Sequence, residues 1–130
     1  NFLNGLRASH ESEHFYRNRY EKQDQLDPKK KYPSAIHPIV RTHPETKKKA
    51  LYINKFFTTR IEGLSKQESK LILGYLFNHC EKTEFQIRYR WNQYDMAFWD
   101  NRCTLHKALW DYHPMERKGR RVTIKGDQPF

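Results

Sequence analysis

Cysteine is scarce in this chain: Cys80 and Cys103 are its only two, and their spacing makes no metal knuckle. That argues against a disulfide framework and points to a reducing compartment, the cytoplasm. Long apolar runs are lacking as well. No stretch approaches the ~18 residues of a membrane span and no signal-peptide core opens the sequence, so no membrane partner is expected. Acidic residues are outnumbered, 15 against 25 Lys plus Arg, which leaves a formal charge of +10. So basic a chain suits nucleic acid, an anionic surface or a small anionic substrate, and composition does not choose among them. An initiator Met is missing too: the sequence opens at Asn1, with Phe2, Leu3 and Leu6 in helical spacing as though a helix were entered part-way. The 130 residues suffice for one domain with a core, and an upstream part is expected to precede them.

From Asn1 to about Gln25, Phe15, Tyr16 and Tyr20 join the earlier apolar residues in the pattern of an amphipathic helix that runs out in polarity. Inside it H-E-S-E-H, His10 to His14, has the two-histidine spacing of a zinc protease. With only nine residues before it and charge all round, a solvated helix face is the better reading. Residues 24–34 read as a charged loop, because Asp27-Pro28, Lys29 to Lys31 and Pro33 break both periodicities. Strand-like runs follow. Ile39 to Thr42 and Ala50 to Asn54 flank the turn-rich H-P-E-T-K-K-K and predict a hairpin, with Phe57 to Ile61 as a third short strand.

His43-Pro44-Glu45 and His79-Cys80-Glu81 have the H-x-E form of an iron-ligating pair, but the first sits at a hairpin turn with Pro between, and the second ends a helix. That helix starts at a capping box, Ser65-x-x-Glu68, and its Leu71, Ile72, Tyr75, Leu76 and Cys80 recur at three and four, predicting a face packed on the sheet. Beyond it, Phe85, Ile87, Tyr89 and Trp91 alternate with Gln86, Arg88 and Arg90 as in a strand. Met96 to Trp99 predicts a short buried strand, and further runs pass through Thr104, His106 and Ala108 and from Gly119 to Lys125. Few helices and many short strands predict an antiparallel sandwich or barrel, mainly β with flanking helices.

The chemistry gathers between Trp99 and Thr123. If Arg117 to Thr123 is a strand, its period of two puts Arg117, Gly119, Arg121 and Thr123 on one face. Two guanidinium forks flanking a residue without a side chain suit a small dianion, and His106 offers a neutral nitrogen to a metal beside it.

These residues also carry a family resemblance. W-D-N-R-x-T-x-H, an Arg eleven residues after the His, and R-x-T-I-x-G-D-x-P four further on resemble the C-terminal signature of the taurine dioxygenase (TauD/TfdA) family. H-P-I-V-R-T-H-P-E-T (37–46), A-L-Y-I-N (50–54), F-T-T-R-I (57–61) and E-F-Q-I-R-Y-R-W (84–91) extend the likeness upstream. The resemblance implies part of a double-stranded β-helix (a jelly roll, cupin-like), with residues 1–130 the C-terminal part of one dioxygenase domain. It implies Fe(II), with 2-oxoglutarate and O₂ as co-substrates, in hydroxylation of a small anionic compound, most readily a sulfonate such as taurine, with succinate, CO₂ and, for taurine, sulfite released. Carried over residue by residue, His106 matches the distal iron ligand, Arg117 the partner of the far carboxylate of 2-oxoglutarate, Arg121 the holder of the substrate's anionic end, and Phe57 an aromatic wall beside it. Two residues depart from the pattern: Leu105, beside the iron ligand, stands where many relatives have a polar Gln, and Phe56, where the residue is often small, is expected to narrow the pocket near Phe57, which weighs against taurine itself. The H-x-D pair that supplies the first two iron ligands has no equivalent in residues 1–130, so the fragment alone is expected to be inactive. A homo-oligomer is compatible with the family. Two other readings stand well behind it, a basic nucleic-acid-binding module and a jelly roll that has lost its metal; no nucleic-acid partner is expected, because the alternation at 85–91 would point its rings and its cations to opposite faces.

Overall fold

The computed structural model describes residues 2–21 and 30–130. Residues 24–29 of the expected charged loop lie outside the described residues; residues 30–33 carry no regular structure, and Ser34 already begins a strand.

Among the described residues the α-helices and strands are, in order, β1 (Arg7–Glu11), α1 (Glu13–Glu21), β2 (Ser34–Pro38), β3 (Val40–Thr42), β4 (Lys49–Leu51), β5 (Thr58–Ile61) and α2 (Lys66–Cys80). β1 is the central strand of an antiparallel three-stranded sheet, between β2 and β5, while β3 and β4 pair as a separate hairpin. The hairpin and the short strand ending at Ile61 form where the turn chemistry predicts them. The opening segment does not follow its helical spacing. Gly5 takes a positive φ of 86°, which ends a turn over residues 2–5, and the chain then enters β1, whose backbone is paired on both sides. Pairing with two neighbours outweighs a weak local helical preference. The H-E-S-E-H run is divided as a result: His10 lies on β1 and His14 on α1, so no single helix face presents both imidazoles to a zinc ion.

α2 begins as predicted. Ser65 Oγ accepts the Glu68 N–H while the Glu68 carboxylate accepts the Ser65 N–H, closing the capping box. Gly63, at φ 78°, makes the preceding turn in a conformation that side chains disfavour. The buried face of the helix is Ser69, Leu73 and Leu76; Leu71 and Tyr75 of the expected face point to solvent. The choice is made at Ser69, whose hydroxyl accepts the Ile61 N–H at 3.1 Å and donates to the Ile61 carbonyl at 3.3 Å, docking the helix on β5. Leu73 and Leu76 then join Ala8, Ile39, Ile53 and Ile61 in the core. Each large aliphatic side chain so buried contributes about 1.5–3 kcal/mol.

Past a 3-10 turn at Thr83–Phe85, residues 86–130 contain no helix or strand. The runs expected to be strands at 85–91, 96–99, 104–108 and 117–125 are irregular, and Ile87, Tyr94, Met96, Phe98, Val122 and Ile124 are exposed. An alternating pattern states which side chains need cover, but a strand also needs a hydrogen-bonding neighbour, and none of the described strands lies beside these runs.

Candidate functional site

His106, Arg117 and Arg121 all lie exposed on the irregular 86–130 segment. The His106 ring meets Trp99, with centroids 4.9 Å apart, and the Arg117 guanidinium lies 5.8 Å from the Tyr112 ring centre. Phe57 is half-buried on the folded body, in ring contact with Phe15 at 5.5 Å and Tyr16 at 6.2 Å. No hydrogen bond, ion pair or ring contact joins any two of these four residues, and without a strand from 117 to 123 the shared face of Arg117 and Arg121 is not formed here.

A different group of polar side chains does converge. His43 is buried at the start of the hairpin turn, and its Nδ1 accepts the N–H groups of Glu45 (3.3 Å) and Thr46 (3.2 Å). With Nδ1 used as acceptor the proton belongs on Nε2, which donates to Asp100 Oδ2 at 3.0 Å across 57 residues of sequence. Asp100 is gripped from the other side by Arg102, whose Nε and Nη2 lie 2.7–3.0 Å from its oxygens and whose backbone N–H also donates to it. The Arg102 guanidinium, then the His43 N–H, hold the Asp100 carboxyl well below the usual carboxylate range. Arg102 also faces Asp127 at 3.9 Å and Glu45 at 4.0 Å. Arg41, buried on β3, donates to Asp127 at 2.9 Å and lies 5.2 Å from the Tyr52 ring centre, and the Thr42 N–H donates to the Phe130 carbonyl at 2.7 Å.

Ligand atoms of His43, Asp100 and Cys103 lie within 4.8 Å of one another, the spacing of a metal site. The hydrogen bonds argue against one. A metal on Nε2 would move the proton to Nδ1, against two N–H donors, and Arg102 already occupies the carboxylate that a cation would need. The H-P-E turn is a turn, as expected, and its histidine is a structural acceptor and donor. Iron in a facial triad needs two imidazoles and a carboxylate. The described residues assemble no such set around His106, so they fit one ligand of that site.

Behind the hairpin, His10 and His37 face each other with ring centres 5.3 Å apart, both in contact with the Tyr52 ring. Burial, then the neighbouring His37, lowers the His10 pKa to about 4; burial, then Arg7 and Arg41, lowers that of His37. Both are neutral at pH 7.

Residues 1–123 match the family described as taurine catabolism dioxygenase TauD, TfdA family. An alpha-ketoglutarate-dependent sulfonate dioxygenase of Saccharomyces cerevisiae is 37% identical over 98% of this chain, and an alpha-ketoglutarate-dependent sulfate ester dioxygenase of Pseudomonas putida 41% identical over 72%. The chain spans 31% of the length of each of these relatives. Among solved structures, a taurine dioxygenase from Burkholderia xenovorans superposes with a TM-score of 0.54 at 31% identity, covering 70% of this chain and 27% of that one.

Proposed function

The chain belongs to the taurine catabolism dioxygenase TauD, TfdA family, and from that premise we propose that it is the C-terminal part of an Fe(II)- and 2-oxoglutarate-dependent dioxygenase that hydroxylates a small organic sulfonate in the cytoplasm. The observation that carries this reading is the family match itself, which runs through Phe57, His106, Arg117 and Arg121. The whole domain would be a double-stranded β-helix, in which the runs from 85 to 125 find strand partners outside residues 1–130.

In that domain His106 gives iron one neutral imidazole, and the other two donors come from outside these residues. Bound iron supplies the oxidation in which 2-oxoglutarate and O₂ become succinate and CO₂ as a substrate C–H becomes C–OH. Arg117 pairs its fork with the far carboxylate of 2-oxoglutarate, which orients the co-substrate. Arg121 holds the sulfonate, and Phe57, backed by Phe15 and Tyr16, gives the carbon chain an apolar wall that excludes water. A taurine substrate hydroxylated at the carbon bearing sulfur would then expel sulfite.

The test uses the gene extended upstream to its natural start. Anaerobic addition of Fe(II) and 2-oxoglutarate should give the visible charge-transfer band of the chelate. It should vanish in His106→Ala, need more 2-oxoglutarate in Arg117→Ala, and leave sulfonate-dependent succinate release impaired in Arg121→Ala. A folded, full-length protein with no band would instead be a jelly roll without its metal.

A further inference from the structure

We infer that Arg41, His43, Asp100, Arg102 and Asp127 form a clasp whose five members are positioning residues for the span between them, which carries His106, Arg117 and Arg121. This rests on the reading of those three residues given above. The span is fastened at both ends to the same small hairpin. At its start, Asp100 takes the His43 Nε2–H, and at its finish, Asp127 takes Arg41 while the Phe130 carbonyl takes the Thr42 N–H. Arg102 touches Asp100, Asp127 and Glu45 and so closes the two ends on each other.

Within residues 1–130 no ladder of backbone hydrogen bonds fastens these two ends to the hairpin, whose strands pair only with each other. The tethers are side chains, and their anchors on the body are built in: the Arg41 and His43 side chains are only 3% and 10% exposed. The Nδ1 of His43 is already committed to its own turn, so Nε2–H has one direction to point. Fixing both ends of the span to one hairpin, beside any strand pairing that its middle makes in the whole domain, removes conformational freedom that would otherwise be lost on binding a metal and an anion. A clasp in which Asp100 loses its charge, or Arg102 its fork, should therefore weaken ligand binding within the span while leaving the core elements as they were.

The experiment is done on the full-length protein with Asp100→Asn, His43→Gln, the double variant and Arg102→Lys. Amide hydrogen exchange of the metal-free proteins should quicken across residues 103–126 in every variant and stay at the wild-type rate in β1 and α2. Fe(II) and 2-oxoglutarate titrations, read by the charge-transfer band, should show affinities weakened about tenfold or more. The double variant should lose less than the sum of the two single ones, since the hydrogen bond that joins the residues is lost in both. A fall in melting temperature with unchanged exchange and affinities would overturn the clasp, leaving the cluster a purely structural one. A wild type without the band would defeat the proposed function, and hydrogen exchange alone would then decide the clasp. Should Asp100→Asn fail to fold, Arg102→Lys, which keeps the charge and loses the bidentate geometry, is held to the same criteria.

Discussion

Two regions of one chain answer the same hydrophobic pattern in opposite ways. In the first 80 residues the apolar side chains find one another: Ala8, Ile39, Ile53, Ile61, Leu73 and Leu76 are all buried, drawn from two strands, two connecting segments and a helix. In residues 86–130 the alternation is cleaner, yet Ile87 is 96% exposed and Val122 92%. Each described strand of the first region has a neighbour within the chain. The second has none, and is held by ion pairs and hydrogen bonds at two points. Periodicity in a sequence is thus a request for a partner, and only the fold says whether the partner is present.

The contrast is broken most forcefully from the core side. Leu73→Ala removes a side chain that is 3% exposed and should cost about 2–5 kcal/mol, seen as a lower urea midpoint with an unchanged slope. Ser69→Ala comes next. It strips the hydroxyl that serves both the N–H and the carbonyl of Ile61 in a buried setting, and about 1–3 kcal/mol should be lost by the same measurement.

These substitutions also mark what could be read beforehand. The hairpin and α2 were legible because their signals are local: a turn-rich run between two apolar runs, and a capping box four residues long. β1 was not, since a strand flanked on both sides is made by its neighbours: its own R-A-S-H-E holds one apolar residue, Ala8, and Phe2, Leu3 and Leu6 before it are spaced like a helix. The buried face of α2 was half legible. Spacing of three and four allowed Leu71 and Tyr75, and the contact of Ser69 with Ile61 turned Leu73 inward instead. Of the candidate site, W-D-N-R drew attention to the right stretch for its likeness to a family, but its Asp100 and Arg102 act with partners that local reading does not reach. His43 is 57 residues from Asp100 and Arg41 is 86 from Asp127, and nothing in either segment names the other.

A smaller effect follows from the two neutral histidines of the body. Their folded pKa values lie below the ordinary 6.5, to about 4 for His10, so the fold favours the neutral rings. The stability they contribute is complete above pH 6.5 and is lost as pH falls from there toward 4. With solvent screening of half-buried rings, the loss should be about 1–2 kcal/mol. Urea midpoints at pH 6.5 and 5 isolate it, because carboxylates take up few protons in that window, and His10→Gln should flatten the slope.

The smallest effect sharpens the comparison furthest. Ile87→Ser in the 130-residue chain removes an apolar group that already faces water, and the urea midpoint should shift by less than about 0.5 kcal/mol. In the full-length protein proposed above, the same residue belongs to a paired strand with a covered face, and the same substitution should cost about 2 kcal/mol or more. The difference between the two numbers reports cover supplied from outside residues 1–130. Equal and negligible losses in both would mean that the alternation from Phe85 to Trp91 is never answered, and that residues 86–130 stay fastened to the body by their clasp alone.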